Sequence, residues 1–550
     1  RIWVLVYIGL GIFNAFMANY KADYFQKVID GLADRTLAFA GVATYGFILL
    51  VNYCMNYLDN YPEKKLEHGI YLDFKLLSFR KISTIDYTEY QKIGTGKLVQ
   101  RIENGSTAGR NVLFNFWLRL IRDLLPTIGF SIYFIWKIDE KVTYVLFVGY
   151  AFIFIITNIL LKFLYKIKEK ILNSEELLNH YLVRGYMEML VFRMSKQFPS
   201  EIKKTCNAKE DIVSSKVKMN MIHEAFFTIF ALLVAMLDIG ILFYAWKTKN
   251  LTVGSVVALI ALIENAYTPI AIFNVLYVQY KLDKASYKRF EEFLGLKDDV
   301  QLRNGNAINT NVGKIAIRNL SFQYEERKII DGLSLSIQKG EKIAFVGESG
   351  SGKSTLIRIL LGLLKYNQGE VRLGDMELKE ICLNNLYDRV SYLSQDAPVF
   401  DGTIKENLVF EKQVSEEQML GALSEVQLSH LVENLAEGLN TEIGEKGTCL
   451  SGGEKQRLAL ARLWFEDSEL VILDEATSAM DNLTEENVMK SVMQKMKDKT
   501  VIAIAHRLNF IAGFDRIILF KEGRIVGQGT FEELLHTDSY FMDLYNANVK

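Results

Sequence analysis

The chain has 550 residues, of which 50% are hydrophobic and 23% charged, and a net charge of −1. That balance removes the electrostatic basis for a nucleic-acid partner, and four scattered cysteines (Cys54, Cys206, Cys382, Cys449) lack the spacing of a zinc site or a disulfide framework. So much apolar sequence beside so much charge is unusual for one soluble domain and predicts an apolar half joined to a soluble half.

In chain order, apolar segments fall at residues 2–20, 37–58, 112–136, 142–165, 226–246 and 252–280. Each is near or above the ~20 residues that a membrane-crossing helix needs. The chain starts at Arg1 and is apolar from Ile2, so a further N-terminal segment ahead of it is expected. Short loops join the segments in pairs. Long charged stretches separate the pairs, with nine Lys/Arg in 62–110 and twelve in 162–224, against seven in the three short loops together. The excess of basic residues assigns the long stretches to the cytoplasm. They are poor in proline and carry spaced apolar residues, so they are expected to continue the membrane helices as helix. The predicted membrane domain covers 1–285. A linker is placed at 286–313; a charged amphipathic helix is read over 281–296, followed over 297–313 by a loop around Asn304-Gly305-Asn306. Over 314–550 short β-rich runs alternate with helical ones, an α/β pattern.

The chemistry lies in this last part. A short apolar strand at 342–346 runs into Gly347-Glu348-Ser349-Gly350-Ser351-Gly352-Lys353-Ser354 and then an apolar helix from Thr355. Strand, glycine-rich loop and helix in that order form a phosphate-binding loop. Its glycines let backbone N–H groups converge on phosphate oxygens, and the helix N-terminus adds positive potential. Lys353 is expected to reach the β- and γ-phosphates, and Ser354 to ligate Mg²⁺. A second apolar strand, 470–473, ends in Asp474-Glu475. There an aspartate can hold Mg²⁺ and the adjacent glutamate can polarise an attacking water. Between the two lies Leu450-Ser451-Gly452-Gly453-Glu454 at the start of a helical run, another anion-binding turn.

That pentapeptide resembles the signature sequence of ATP-binding-cassette proteins, and the resemblance extends to further motifs. Tyr324 is similar to the aromatic that stacks on adenine. Gln395, in Leu393-Ser394-Gln395-Asp396, resembles the glutamine that touches Mg²⁺ or the attacking water. Ser478-Ala479-Met480-Asp481 resembles the turn beyond the catalytic glutamate, with Met480 in place of the commoner leucine. His506 resembles the histidine that contacts the γ-phosphate. Thr441-Glu442-Ile443-Gly444-Glu445-Lys446-Gly447 resembles a loop of exporter-type cassettes. In the apolar half, Thr95-Gly96-Lys97-Leu98, Trp136-Lys137-Ile138 and Leu251-Thr252-Val253-Gly254 with Pro269 resemble the exporter type as well.

The resemblance implies an all-α six-helix transmembrane domain followed by an α/β P-loop NTPase cassette. It implies catalysis by Glu475, His506 and Gln395, and nucleotide binding by Tyr324, Gly347, Ser349, Gly350, Gly352, Lys353, Ser354, Thr355, Ser451, Gly452, Gly453 and Asp481. Mg²⁺ would lie at Ser354, Gln395 and Asp474. In the family the phosphate loop of one cassette faces the signature turn of another, so two chains must pair. Intact Glu475, His506 and Ser451–Glu454 favour two identical chains over a mixed pair. The expected activity is ATP-driven export of an amphipathic drug, lipid or peptide, in a bacterial inner membrane with the cassette in the cytoplasm. Uptake of metal chelates, ATP-gated conduction and a soluble cassette ATPase are the competing readings; the intact Glu475 and His506 count against the second of these, the six apolar segments against the third. Cargo-facing candidates are Asp238, Glu264, Arg119, Arg122 and Asp123, with an internal Arg119–Asp123 pair and helix-packing contacts as the alternative. Aromatics such as Phe227, Phe230, Phe243, Phe273 and Tyr277 either line a cavity or face lipid.

Overall fold

A computed structural model describes residues 2–549 except 94, 326, 445, 446, 506 and 508. It divides into two compact units. One comprises Arg1–Ser83 with Ile93–Leu296, the other Thr84–Lys92 with Lys297–Lys550.

The first unit is helical. Its elements are α1 (Ile2–Ala33), α2 (Phe39–Ile82) and, after the short helix α3 (Tyr87–Ile93), α4 (Thr95–Arg110), α5 (Leu125–Ile138), α6 (Glu140–Met187), α7 (Met189–Met194), α8 (Phe198–Thr248) and α9 (Val253–Leu294). Among the described residues α1, α2, α8 and α9 are each long and apolar enough to cross a membrane. In their most apolar stretches only 6% of α2 and 11% of α8 is buried. Apolar helices with so little of that surface inside the protein need an apolar solvent outside it. The long charged stretches are helical, as their composition predicts, and carry α2, α6 and α8 well beyond bilayer thickness. The last helix runs through Leu294, so the first residues of the expected linker are its end.

The third apolar segment is divided. Asn111–Leu118 and Leu120–Leu124 are π-helical, with Arg119 N–H bonding to Phe114 O and Leu125 N–H to Leu120 O. Local capping defines the next turns. Asp139 accepts from the backbone N–H groups of Lys141 and Val142 to open α6, and Thr252 accepts from Ser255 to open α9. The buried core here is formed by α5, α6 and α9, around Phe134, Ile135, Leu146, Leu259, Leu262 and Tyr267.

The second unit is α/β. An antiparallel sheet of four strands has the order β2-β1-β4-β5, from Ile315–Tyr324 (β1), Arg327–Ile337 (β2), Gln368–Leu373 (β4) and Met376–Glu377 (β5). A six-stranded sheet has the order β10-β9-β3-β8-β7-β6. Its strands are Lys342–Gly347 (β3), Val390–Leu393 (β6), Leu470–Asp474 (β7), Thr500–Ile504 (β8), Arg516–Lys521 (β9) and Arg524–Gly529 (β10). β3 is parallel to both β8 and β9, and β7 to both β6 and β8. Strands β7 and β8 are buried throughout, which accounts for their unbroken apolar runs. The C-terminal ends of β3 and β7 therefore open at the same edge of the sheet, where ligands of such sheets bind.

The segment 84–92 folds with this unit although helices of the first unit, α2 and α4, flank it in sequence. Asp86 N–H bonds to Lys297 O, Asp299 N–H to Thr84 O, and Thr84 Oγ1 to Asp298. Tyr87 packs against the same apolar cluster as Tyr392.

Candidate functional site

The loop after β3 is shaped by its glycines. Gly347 has φ +151°, and a Cβ there would lie 2.1 Å from Phe520 O. Gly352, at φ +103°, leads into the helix α10 (Lys353–Leu360), whose first N–H groups face the loop. Lys353 is 5% exposed, and its ammonium donates to Gly347 O at 2.6 Å, Glu348 O at 2.8 Å and Ser351 Oγ at 3.3 Å. Burial pushes its pKa below the ordinary lysine value, against the opposing pull of Glu475, Asp474 and Glu348. The loop thus holds a desolvated cation beneath a set of N–H donors, an arrangement suited to a polyphosphate.

Asp474 stands at the buried end of β7. Ser354 Oγ is 3.5 Å from one of its carboxylate oxygens and Tyr392 OH 3.4 Å from the other. Both separations are long for direct O–H···O bonds. They leave the Ser354–Asp474 pair room to share a small hydrated cation. Burial, then the neighbouring Glu475, raise the Asp474 pKa above the usual aspartate value. Among the described residues no group of three or more His, Cys, Asp or Glu side chains is assembled. A hydroxyl and one carboxylate still fit Mg²⁺, which keeps most of its waters and takes its other ligands from phosphate.

Glu475 has φ +53°, in the left-handed region that a non-glycine residue rarely occupies. Its carboxylate accepts from Gln395 Nε2 at 2.7 Å, so these two sequence-assigned side chains meet across 80 positions of chain. Strain of this kind concentrates at reactive centres.

Other assigned residues lie elsewhere in the unit. Tyr324 ends β1, edge-on to Phe322 at 5.0 Å. Ser349 and Gly350 lie in the exposed part of the loop; Thr355 is in the first turn of α10. Ser451 caps the helix Gly452–Ala461 in a reciprocal capping box with Glu454. Gly452 and Gly453 pack on Ala479, and a Cβ on Gly453 would lie 3.0 Å from Ala479 O. The contacts of the signature turn thus run to its own helix and to the turn at Ala479. Asp481 accepts from Thr484 N–H at 2.9 Å and caps the next helix. His506 lies outside the described residues, as do Glu445 and Lys446 of the exporter-type loop.

Sequence reasoning missed two buried or half-buried partners of the site. Tyr392 faces Asp474, and Gln456 holds the turn at Ser478 and Ala479. Neither belongs to an expected role, and only the fold brings them to their partners.

In the helical unit, the alternative reading holds in its helix-packing part, with partners on α2 in place of the Arg119–Asp123 pair. Arg119 pairs with Glu63 of α2 at 3.4 Å. Arg122 pairs with Asp59 and lies 3.6 Å from Glu63 and 3.5 Å from Asp123. The π-helical turns widen the local register, so residues four apart no longer stack as in an α-helix. Asp238 and Glu264 stand on α8 and α9. Phe230 packs on Tyr267, Phe227 on Phe226, and Phe273 and Tyr277 on Phe116, whereas Phe243 is 60% exposed.

The geometry has independent counterparts among known proteins. Residues 330–478 match the family described as ABC transporter. Along its whole length the chain superposes on a bacterial Atm1-family ABC exporter with ATP bound, at a TM-score of 0.85 and 22% identity, covering 100% of this chain and 99% of that one. It is also 26% identical over 563 aligned residues to the ATP-dependent lipid A-core flippase of Alcanivorax borkumensis, covering 99% of this chain and 94% of that protein. The second unit thus carries a domain that matches the ABC transporter family. A stronger local match joins the chain to YwjA, an uncharacterized ABC transporter ATP-binding protein of Bacillus subtilis (34% identity over 301 residues, 54% of this chain and 52% of that protein). The lipid A-core flippase of Francisella tularensis is 35% identical over 303 residues, 54% of this chain and 49% of that protein. In these two matches the chain spans about half the length of the curated relatives. Alongside this likeness, the chain carries, among its described residues, helices long and apolar enough to cross a membrane.

Proposed function

We propose that this chain is one half of an ATP-hydrolysing exporter that moves an amphipathic, lipid-like molecule across the membrane. The observation that carries the reading is the Gln395–Glu475 hydrogen bond of 2.7 Å, beside Asp474, Ser354 and Lys353, in a chain that also carries membrane-length apolar helices. The loop 347–354 holds the triphosphate through backbone N–H groups and the Lys353 ammonium. Ser354 and Asp474 would hold Mg²⁺, which supplies charge neutralisation on the phosphates when bound. Gln395 and Glu475 position a water in line with the γ-phosphorus. As its oxygen bonds to phosphorus and the bond to the bridging oxygen breaks, Glu475 takes the water's proton. By the resemblance, His506 is assigned a further role at the γ-phosphate.

In the resemblance to ATP-binding-cassette proteins the phosphate loop of one cassette faces the signature turn of another, so we read the nucleotide site as completed by a second chain. We read that partner as an identical copy. ATP then favours the closed pair over the open one by its differential affinity, and the membrane helices follow that equilibrium. The fold shared along its whole length with an exporter, and the relatives named lipid A-core flippases, support a lipid-like cargo.

The test is ATP hydrolysis by the purified chain alone in lipid nanodiscs, beside Glu475→Gln, across peptides, lipids, cationic drugs and metal chelates. The expected outcome is hydrolysis by the wild type, a loss of at least about 100-fold in the variant, and a rate change with lipid-like amphiphiles. A lone chain that binds ATP yet does not hydrolyse it would overturn the identical-pair reading.

A further inference from the structure

The turn 476–481 links Glu475 to Asp481; Ala476 and Met480 anchor it in the core, while Ser478 and Ala479 between them are exposed. Behind it lies a cavity of about 290 Å³ lined by Leu473, Glu475, Thr477, Glu485, Arg507 and Phe510, among others. The middle of the turn, which borders this open pocket, has fewer close contacts than its anchored ends. Hydrogen bonds supplement those anchors.

Those bonds come from two sides. Arg507 Nη1 donates to Met480 O at 2.7 Å and to Glu485 Oε2 at 2.9 Å, with Asn482 Oδ1 at 3.2 Å. The other Glu485 oxygen accepts from Thr477 Oγ1 at 2.6 Å. Glu485 is buried, so its carboxylate depends on both partners. On the opposite flank Gln456, buried in the signature helix, donates to Ser478 Oγ at 3.0 Å and accepts from Ala479 N–H at 2.9 Å. One turn is therefore tied to the end of the catalytic strand, to the signature helix, and to the residue that follows His506 in the chain.

We propose that Arg507 and Glu485 form a positioning clamp that holds this turn away from its cavity, and so holds Glu475 in register with the signature turn. The inference rests on the hydrolytic reading above and deepens it: the clamp governs the rate of hydrolysis and leaves nucleotide binding to the phosphate loop. Neither residue touches the loop 347–354 in the contacts that define the clamp. Releasing it lets the exposed middle of the turn shift toward the pocket, loosening Glu475 against Gln395 while Lys353 keeps its place.

The experiment compares wild type, Arg507→Ala, Arg507→Lys, Glu485→Gln and Glu475→Gln as full chains in nanodiscs. Steady-state ATPase and amide hydrogen exchange are both measured. In Arg507→Ala, kcat should fall at least about tenfold while KM for ATP stays within about twofold. Lysine keeps the charge but not the fork and should restore part of the rate. Exchange at 476–481 should quicken about tenfold in Arg507→Ala with 343–347 unchanged. An unaltered kcat with unaltered exchange would sink the clamp. So would quickened exchange throughout the cassette, which marks a merely structural role. If the wild type proves as inactive as Glu475→Gln, the hydrolytic reading has failed, and exchange at 476–481 still decides whether the clamp exists.

Discussion

Asp474 and Glu475 are adjacent acids with different surroundings. Asp474 is buried in β7, and that burial, with Glu475 next to it, raises its pKa; the Tyr392 hydroxyl and Ser354 pull it down. Only the carboxylate binds Mg²⁺, so protons compete for Asp474 at a higher pH than for an ordinary aspartate. The Mg²⁺ concentration that half-saturates ATPase should therefore climb as pH is lowered from 7 toward 5. Tyr392→Phe removes one of the groups that hold the pKa down, and the climb should begin at a higher pH in that variant. Mg²⁺ titrations at a series of pH values check this; identical curves for both proteins would refute a role for the Tyr392 hydroxyl. At this scale the sequence shows the residues whose chemistry follows from local order, such as Lys353 after its glycines and Asp474-Glu475 after an apolar strand. It does not show Tyr392, Gln456 or Arg507 as partners, because each acts on a residue brought to it by sheet pairing or helix packing. Nor does it show the left-handed backbone of Glu475, which the surrounding fold imposes.

Helix positions follow closely from hydropathy, since a run of apolar residues and the bilayer thickness leave little freedom. The π-helical stretch around Arg119, Arg122 and Asp123 does not, because the widened turns depend on tertiary partners: Asp59 and Glu63 on α2, and Tyr7, whose ring lies 3.9 Å from the Arg122 guanidinium. Close packing at this point also explains Gly11, where any Cβ would collide with the Arg122 side chain. Arg122 is 5% exposed and Asp59 7%. Arg122→Ala leaves the Asp59 carboxylate buried without its cation and should cost about 3–5 kcal/mol. Replacing both, Arg122→Met with Asp59→Leu, removes the uncompensated charge and should recover most of that loss. Thermal unfolding in detergent measures the cycle. A double variant no more stable than the single one would show that the pair does more than neutralise itself.

At the scale of the molecule, the contacts of Ser451–Gly453 with Ala479 and the cradle around Lys353 belong to one cassette, yet the proposed nucleotide site takes one part from each of two chains. This makes a prediction that no single-chain site shares. Lys353→Ala removes the phosphate cation, and Ser451→Arg blocks the signature turn. Each variant alone makes pairs in which both sites are defective. Co-assembly of the two gives mixed pairs in which one site joins the intact phosphate loop of the Ser451→Arg chain to the intact signature turn of the Lys353→Ala chain. Random pairing of equal amounts makes half of the pairs mixed, each with one competent site of two. The ATPase rate should then return from near zero to about one quarter of wild type, provided the two sites fire independently. Separating mixed from unmixed pairs by two affinity tags and measuring their hydrolysis individually decides the matter. Activity confined to the mixed pair establishes the composite site. If neither mixed nor unmixed pairs are active, hydrolysis requires both sites at once, and the transport cycle must be written with two ATP molecules committed together.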